Sequence, residues 1–266
     1  GVQTCALPIL IANNDNKGFS KANNQGIKVA GGRNILLLNP DTVVSEDTFV
    51  KTVSFLDSHP EAGALGVRMI DGRGKFLPES KRGLPTPAVA FYKMTGLAKL
   101  FPKSRTFGVY HLSYLNEFET HEADILSGAF MMIKKDVLDK VGLLDETFFM
   151  YGEDIDLSYR IVKAGYKNYY FADTTIIHYK GESTKKHSVN YVKIFYKAMA
   201  IFAQKHYSKQ QGWWFTFCIY AAIYARAFVA VLVRFFRSMQ FVTFDFIFIF
   251  AGFYGLMRYW EIYNKY

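Results

Sequence analysis

The residues best suited to chemistry in this sequence are two adjacent carboxylates, Glu153 and Asp154. Apolar residues at helical spacing follow them, and Gly165 is placed to end the helix that this spacing predicts. Both acids then lie in the first turn, where the helix dipole favours ionised carboxylates, so we expect both to be charged at neutral pH and able to act as a general base. Acidic residues also occur in first turns only as caps, and this short stretch alone does not separate the two roles.

Two further groups could bind a divalent cation. Asp41 follows a continuous apolar run that predicts a buried strand, so it lies where ligands bind in open α/β sheets. His178 follows a strand-like segment. Carboxylates and imidazoles suit hard or borderline divalent cations. Each residue also has an ordinary alternative, Asp41 as a turn or cap residue and His178 as a structural histidine.

The elements that must position these groups alternate between strands and helices. The predicted strands are 9–12, 34–38, 62–70, 125–133, 169–172 and 175–178, and the predicted helices are 19–30, 46–58, 135–141 and the helix that begins at Glu153. This alternation predicts an α/β domain with a mostly parallel sheet. Residues 71–124 lack a strong period, and we expect them to form a long loop with short helices that shapes an acceptor site.

Composition narrows the classes of function. The net charge is +9, but the cations look scattered, with no basic stripe interleaved with aromatics and no zinc-finger or helix-turn-helix signature, so we expect no nucleic-acid partner. A basic balance also suits phosphate ligands and anionic membranes. Two cysteines in unlike contexts imply no disulfide framework, which fits a reducing compartment.

Five blocks in a fixed order resemble the inverting, nucleotide-sugar-dependent glycosyltransferases of the GT-A fold, family two. The similarity is greatest to the bacterial rhamnosyltransferase-like and galactofuranosyltransferase-like members, and it spans most of residues 10–185. The blocks are Asn16 to Ile27, Leu37-Leu38-Asn39-Pro40-Asp41, Leu126 to Phe130, Gly142 through Leu157, and His178 to Ser183.

The resemblance implies a role for each matching residue. Asp154 corresponds to the catalytic base, with Glu153 beside it. Asp41 and His178 correspond to ligands of a divalent metal, Mg or Mn, that bridges the donor diphosphate, and Asn39 departs from the strictly acidic pattern of the family. The implied donor-binding residues are Gly18, Phe19, Asn24, Asn39 and Asp41, and the implied acceptor-binding residues are Ser127, Gly128 and Ala129.

The first nine residues resemble the conceptual translation of a DNA-sequencing adapter, so we interpret 1–9 as a non-native leader. We expect a partial GT-A domain over 10–207. The family's first strand and the acidic residue that grips the nucleotide base would precede Ile9, so we expect the domain to lack them.

From Trp213 onward the apolar residues are nearly continuous, and 208–266 reads as a membrane-associated helical region. Residues 213–236 and 241–257 approach the length of bilayer-crossing helices, but Arg226 and Asp245 lie within them. Helices lying in the membrane interface and a soluble helical subdomain are the alternatives.

The predicted function is transfer of a rhamnose-like sugar from a nucleotide diphosphate donor to a cell-surface polysaccharide or lipid-linked glycan. The reaction would be inverting and metal-assisted, on the cytoplasmic face of a bacterial inner membrane. Two alternatives stay open, a polyprenyl-phosphate glycosyltransferase and a non-catalytic, membrane-anchored glycan-binding remnant.

Overall fold

The structure is a computed structural model that describes residues 9–179, 189–207, 213, 217, 221, 236–239 and 244–264. The strands are β1 (Asn34–Leu38), β2 (Thr42–Val43), β3 (Ala62–Ile70), β4 (His121–Glu122), β5 (Phe130–Lys134) and β6 (Lys167–His178). The helices are α1 (Phe19–Val29), α2 (Thr48–Ser58), α3 (Pro87–Met94), α4 (Leu97–Leu100), α5 (Lys135–Val141), α6 (Glu153–Lys163), α7 (Val189–His206) and α8 (Phe236–Tyr263). The chain divides into two compact units, Gly1–Thr216 and Phe217–Tyr266.

One mixed sheet organises the first unit, in the order β1-β5-β3-β6-β2, with β4 paired to β6. Among the described strands, β3 and β6 pair in parallel, and the other pairings are antiparallel. The α/β class is confirmed, but the mostly parallel sheet is wrong. A continuous apolar run shows that a strand is buried on both faces, and it does not fix the direction of the strand.

Apolar side chains alternate along the strands and fill a core on each face of the sheet. Along β5, Met131 and Ile133 pack with α1, α5 and α6, whereas Phe130 and Met132 pack with Leu56 of α2. The sheet is therefore covered by helices on both sides. The strand predicted at 9–12 is absent, because Ile9 to Ala12 make no ladder and are exposed.

The strand predicted over 125–133 is shorter, because the chain leaves the sheet before β5. Ile125 makes an isolated bridge to Arg82, and Ser127 O then accepts a bond of 3.3 Å from Phe130 N, which closes a turn. Leu126 N donates to Ser158 Oγ of α6 at 3.2 Å. These bonds hold the turn against the helix that begins with the two carboxylates.

A left-handed turn precedes α6. Tyr151 has φ 66° and Gly152 has φ 94°, and a Cβ at Gly152 would lie 3.0 Å from Phe148 and 3.1 Å from Ala198. Glycine is thus required there by both conformation and space. The turn sets the direction in which α6 begins, and α6 starts at Glu153 as predicted.

Residues 71–124 form the predicted long connection with short helices. Lys81 is buried, and its ammonium donates to the backbone carbonyls of Leu112, Leu115 and Asn116 at 3.3, 2.5 and 3.3 Å. Burial lowers the pKa of Lys81 to about 8. This lysine fixes the far end of the connection against its beginning.

Helix α7 is tied to α6 by a buried carboxylate. Asp156 accepts from Arg160 Nε at 2.8 Å and lies 2.6 Å from His206 Nε2. Arg160 also donates to the backbone carbonyls of Val141, Gly142 and Leu143. The network joins α5, α6 and α7.

In the second unit, α8 has 28 residues and is long and apolar enough to cross a membrane. Its described side chains are exposed. Most of the helix predicted over 213–236 lies outside the described residues, as do residues 1–8 of the predicted leader.

Candidate active site

Asp154 lies in a half-buried position where three elements meet. Its Oδ2 accepts from Arg82 Nη2 at 2.5 Å and from Gly128 N at 3.4 Å. Its Oδ1 accepts from Ile155 N at 2.8 Å within the first turn of α6. The side chain keeps 16% of its surface exposed. The carboxylate is therefore held in one orientation and still reaches solvent.

Arg82 is the residue that the sequence analysis missed. It follows β3 by twelve positions and stands 72 positions before its partner Asp154, and Nη2 also donates to Leu126 O at 2.7 Å. The Tyr110 side chain lies close to Arg82. The available signal was that Arg82 lies in a long stretch, 80–116, that contains no acidic residue, which favours a counter-charge from another part of the chain.

Glu153 differs from its neighbour because it is buried, with 6% of its surface exposed, and its Oε2 has no hydrogen-bond partner in the part of the chain that the structure describes. Burial, and then the charge of Asp154, raise the pKa of Glu153 to about 8. The expectation that both acids are ionised at neutral pH is thus wrong for Glu153. At this position the free energy lost by burying a charged carboxylate exceeds the stabilisation that the helix dipole provides.

The predicted acceptor-binding residues lie beside Asp154. A Cβ at Gly128 would lie 3.6 Å from Asp154 Cβ and 3.5 Å from Phe19 Cζ, so this turn packs closely on both. Ser127 is half-buried, and its Oγ accepts from Ala129 N at 3.4 Å. The structure brings Gly128, Phe19 and Asp154 together, and Gly128 and Ala129 are buried backbone positions.

Gly18 and Asn24 both contact the loop that precedes α6. Gly18 has φ 79°, and a Cβ there would lie 2.6 Å from Phe149 O. Asn24 is buried and forms a reciprocal pair of bonds with Leu144, at 2.8 Å to its carbonyl and 3.1 Å from its amide. The amide of Asn24 is therefore used to attach α1 to the loop before α6.

The predicted cation ligands face one another across a strand pair. Asp41 directly precedes β2, which pairs with the end of β6. Asp41 Oδ1 lies 3.2 Å from His178 Nε2. Asn39 N donates to Ala129 O at 3.0 Å. The loop that contains Asp41 is thus adjacent to the turn that contacts Asp154.

The Asp41–His178 pair fits a divalent cation. Asp41 Oδ1 is buried and accepts no hydrogen bond among the described residues. Two ligand atoms each about 2.1 Å from a cation, at right angles or somewhat wider, are roughly 3.0–3.4 Å apart. Among the described residues, no third His, Cys, Asp or Glu joins them in a cluster.

The long connection 71–124 also brings Tyr110 close to Arg82, the ion-pair partner of Asp154. Lys93 Nζ lies 3.3 Å from the centroid of the Tyr110 ring, and His111 packs edge-on against that ring with centroids 4.6 Å apart. Burial, and then the charges of Lys93 and Arg82, lower the pKa of His111 to about 4. His111 is therefore neutral at physiological pH.

Comparison with known proteins is consistent with this arrangement. The family model described as "Glycosyltransferase like family 2" matches residues 8–193, well over half of the chain. The chain belongs to this family. The match contains every predicted site residue, from Gly18 to His178, so the glycosyltransferase resemblance is confirmed.

Curated rhamnosyltransferases are similar to part of this chain. The N-acetylglucosaminyl-diphospho-decaprenol L-rhamnosyltransferase of Mycobacterium tuberculosis (strain ATCC 25618 / H37Rv) is 28% identical over 180 residues, which cover 68% of this chain and 57% of that protein. Rhamnosyltransferase WbbL of Escherichia coli (strain K12) is 28% identical over 149 residues, 54% of this chain and 52% of that protein. The chain thus spans little more than half the length of these relatives.

Among solved structures, the mannosyltransferase PcManGT from Pyrobaculum calidifontis, in complex with GDP-Man and Mn2+, superposes with a TM-score of 0.48 and 14% identity. That superposition covers 82% of this chain and 57% of the other.

Proposed function

We propose that this glycosyltransferase transfers a rhamnose-like sugar, with inversion, from a nucleotide diphosphate donor to a hydroxyl of a lipid-linked glycan or cell-surface polysaccharide. The observation that carries the proposal is a continuous set of contacts between two loops. The Asp41 loop bonds to Ala129, and the turn before Ala129 contacts Asp154. A cation-binding pair and a base on adjacent loops match what the reaction needs.

In the proposed mechanism, Asp154 accepts the proton of the acceptor hydroxyl as that oxygen attacks the anomeric carbon. Arg82 and Gly128 N hold the carboxylate in place, so little reorganisation is needed at the moment of attack. Burial and the charge of Asp154 raise the pKa of Glu153, so we assign the proton transfer to Asp154, the more exposed carboxylate of the pair. Phe19 and Gly128 pack beside Asp154, and in this mechanism they form the surface that the reacting groups contact.

Asp41 and His178 would hold the divalent cation, Mg or Mn. When bound, the cation would neutralise charge on the departing diphosphate. Gly18 and Asn39 belong to the donor side of the site in this proposal, and Asn24 supports it from within the fold. Ser127, Gly128 and Ala129 form the acceptor side.

We place the site at the cytoplasmic face of a bacterial inner membrane, with 10–207 as the catalytic domain and 208–266 as the membrane-associated region. The length and apolar composition of α8, together with its exposed side chains, support the membrane association in this proposal.

The decisive test is Asp154→Asn, assayed with a panel of nucleotide sugars. We expect transfer to fall more than tenfold, since a missing base costs rate, while donor affinity stays nearly unchanged. Retention of more than about a tenth of turnover, a loss under ~1.4 kcal/mol, would show that Asp154 is not the base. Transfer to a bare polyprenyl phosphate would instead identify a lipid-loading enzyme.

Asp136→Asn is the matched control. Asp136 lies in the first turn of α5 and accepts from Val137 N at 2.9 Å, just as Asp154 accepts from Ile155 N in α6, but it is exposed and makes no bond to Arg82 or Gly128. Equal losses in both variants would point to the loss of a first-turn helix contact rather than of catalysis.

A further inference from the structure

Part of the long connection contains basic residues and no acidic ones, although the cations of the whole chain look scattered. Residues 81–116 contain six Lys and Arg and no Asp or Glu, in a chain whose net charge is +9. Aromatic residues alternate with these cations along the same stretch. The expectation of no basic stripe interleaved with aromatics is therefore wrong for this stretch. Such a one-signed segment creates a local positive potential that attracts anionic surfaces.

The middle of this stretch is a small helical layer with an aromatic interior. Tyr92 packs edge-on against Phe107 with ring centroids 5.0 Å apart, and Phe101 packs on the same ring at 5.6 Å. Phe91 contacts Tyr92 at 6.2 Å. The half-buried rings of Tyr92 and Phe107 hold this layer together. The more exposed apolar side chains that pack on them are therefore fixed in place.

The outer side chains combine apolar tips with cations. Phe91 is 51% exposed, Phe101 is 52% exposed and Leu100 is 71% exposed. Three exposed cations accompany them, and none forms an ion pair with any residue that the structure describes. We name this surface the basic-apolar patch; it consists of Phe91, Lys99, Leu100, Phe101, Lys103 and Arg105.

Water is a poor partner for the apolar members of the patch, and an acidic protein surface would match only its charges. The boundary of an anionic bilayer matches both, because apolar tips enter the acyl edge while ammonium and guanidinium groups meet lipid phosphates. A nucleic-acid backbone offers phosphates but no apolar layer to accept Leu100. Charge complementarity and exposed apolar area thus favour a membrane.

We propose that the basic-apolar patch is a second membrane-contact surface, carried by the catalytic unit itself, and that it binds bilayers containing anionic phospholipids. It is separate in sequence from α8. Because the same connection contributes Arg82 to the site, lipid contact would orient the region beside Asp154 relative to the bilayer. The proposal does not depend on sugar transfer, and its test requires no enzymatic activity.

The test uses the full chain reconstituted in vesicles of phosphatidylcholine alone or of phosphatidylcholine with an equal amount of phosphatidylglycerol. An environment-sensitive fluorophore is attached through Leu100→Cys in a chain that also carries Cys5→Ser and Cys218→Ser. We expect a blue shift of the emission in the anionic vesicles, and its reversal by high salt. No shift while the chain remains in the vesicles would overturn the proposal, as would equal shifts in both vesicle types.

Charge variants make the test quantitative. Lys99→Gln with Lys103→Gln should lower the equilibrium constant between shifted and unshifted label about 30-fold, through the loss of two charges at an anionic surface. Lys28→Gln with Lys163→Gln removes the same charge from exposed positions of α1 and α6 and should leave the shift unchanged. A shift that appears without vesicles as protein concentration rises would indicate self-association, and a shift with nucleic acid alone would indicate that partner; either result refutes the lipid proposal.

Discussion

Replacing Glu153 by glutamine tests the buried acid directly. The pKa of Glu153 rises from an ordinary 4.5 to about 8 on folding, because burial and the neighbouring Asp154 both oppose ionisation. The folded chain therefore binds this proton more tightly than the unfolded chain does. The resulting stabilisation is fully present below pH 4.5 and is lost as the pH rises through 8. Glutamine keeps the shape of the protonated acid but does not titrate, so it removes this contribution to the pH dependence of stability.

The size of the effect follows from the same values. A rise from 4.5 to about 8, at 1.36 kcal/mol for each pKa unit, corresponds to about 5 kcal/mol of unfolding free energy between those two pH values. For a domain of this size, 1 kcal/mol changes the Tm by about 2–4 °C. The Tm of Glu153→Gln, relative to the unsubstituted chain, should therefore increase by roughly 10–20 °C between pH about 4.5 and about 8.

The assay is thermal unfolding in a mild detergent, followed by circular dichroism across this pH range. Comparing differences between the two chains cancels the titration of the groups that do not interact with Glu153 and any constant packing effect of the substitution. Glu46→Gln, which removes an exposed carboxylate, is the control. A Tm difference that stays constant with pH would show that Glu153 is already ionised in the folded chain and that the burial argument fails.

Three other predictions concern the rest of the molecule. Arg82→Gln should lower kcat about tenfold or more with little change in the KM for the donor, because Asp154 loses its ion pair, and Arg82→Lys should recover part of the rate; an unchanged kcat in Arg82→Gln contradicts the role given to this arginine. Asp41→Ala and His178→Ala should each weaken manganese-dependent binding of a nucleoside diphosphate about tenfold or more in calorimetry, and unaltered binding in His178→Ala would return that residue to a structural role. A chain ending at residue 209 should stay in solution without detergent, and a full chain that purifies as a detergent-free monomer would exclude membrane contact through α8.

Local patterns in the sequence predicted much of the fold. The bounds of β1 and β3 agree with the predicted strands because each is a continuous apolar run between turn residues. The start of α6 was predicted from its apolar spacing, and the Asp41–His178 contact from the resemblance. Strand direction was not predictable, since it depends on how distant segments pair.

The site depended on long-range packing that local patterns do not record. Arg82 and Asp154 are 72 positions apart, and neither segment alone specifies the other. The state of Glu153 depends on burial, which the helix dipole argument left out. The apolar run of 125–133 predicted an unbroken strand, whereas the turn at Ser127 and Gly128 is what lets the backbone reach Asp154.

The buried Asp156 has a consequence for how this family diverges. Its two oxygens face Arg160 and His206, one on its own helix and one fifty positions along the chain. Loss of one partner of a buried ion pair costs about 3–5 kcal/mol, whereas replacing the whole group by apolar residues is close to neutral. Positions 156, 160 and 206 should therefore change together among relatives. A sequence that keeps the acid without the histidine must attach α7 to α6 in another way.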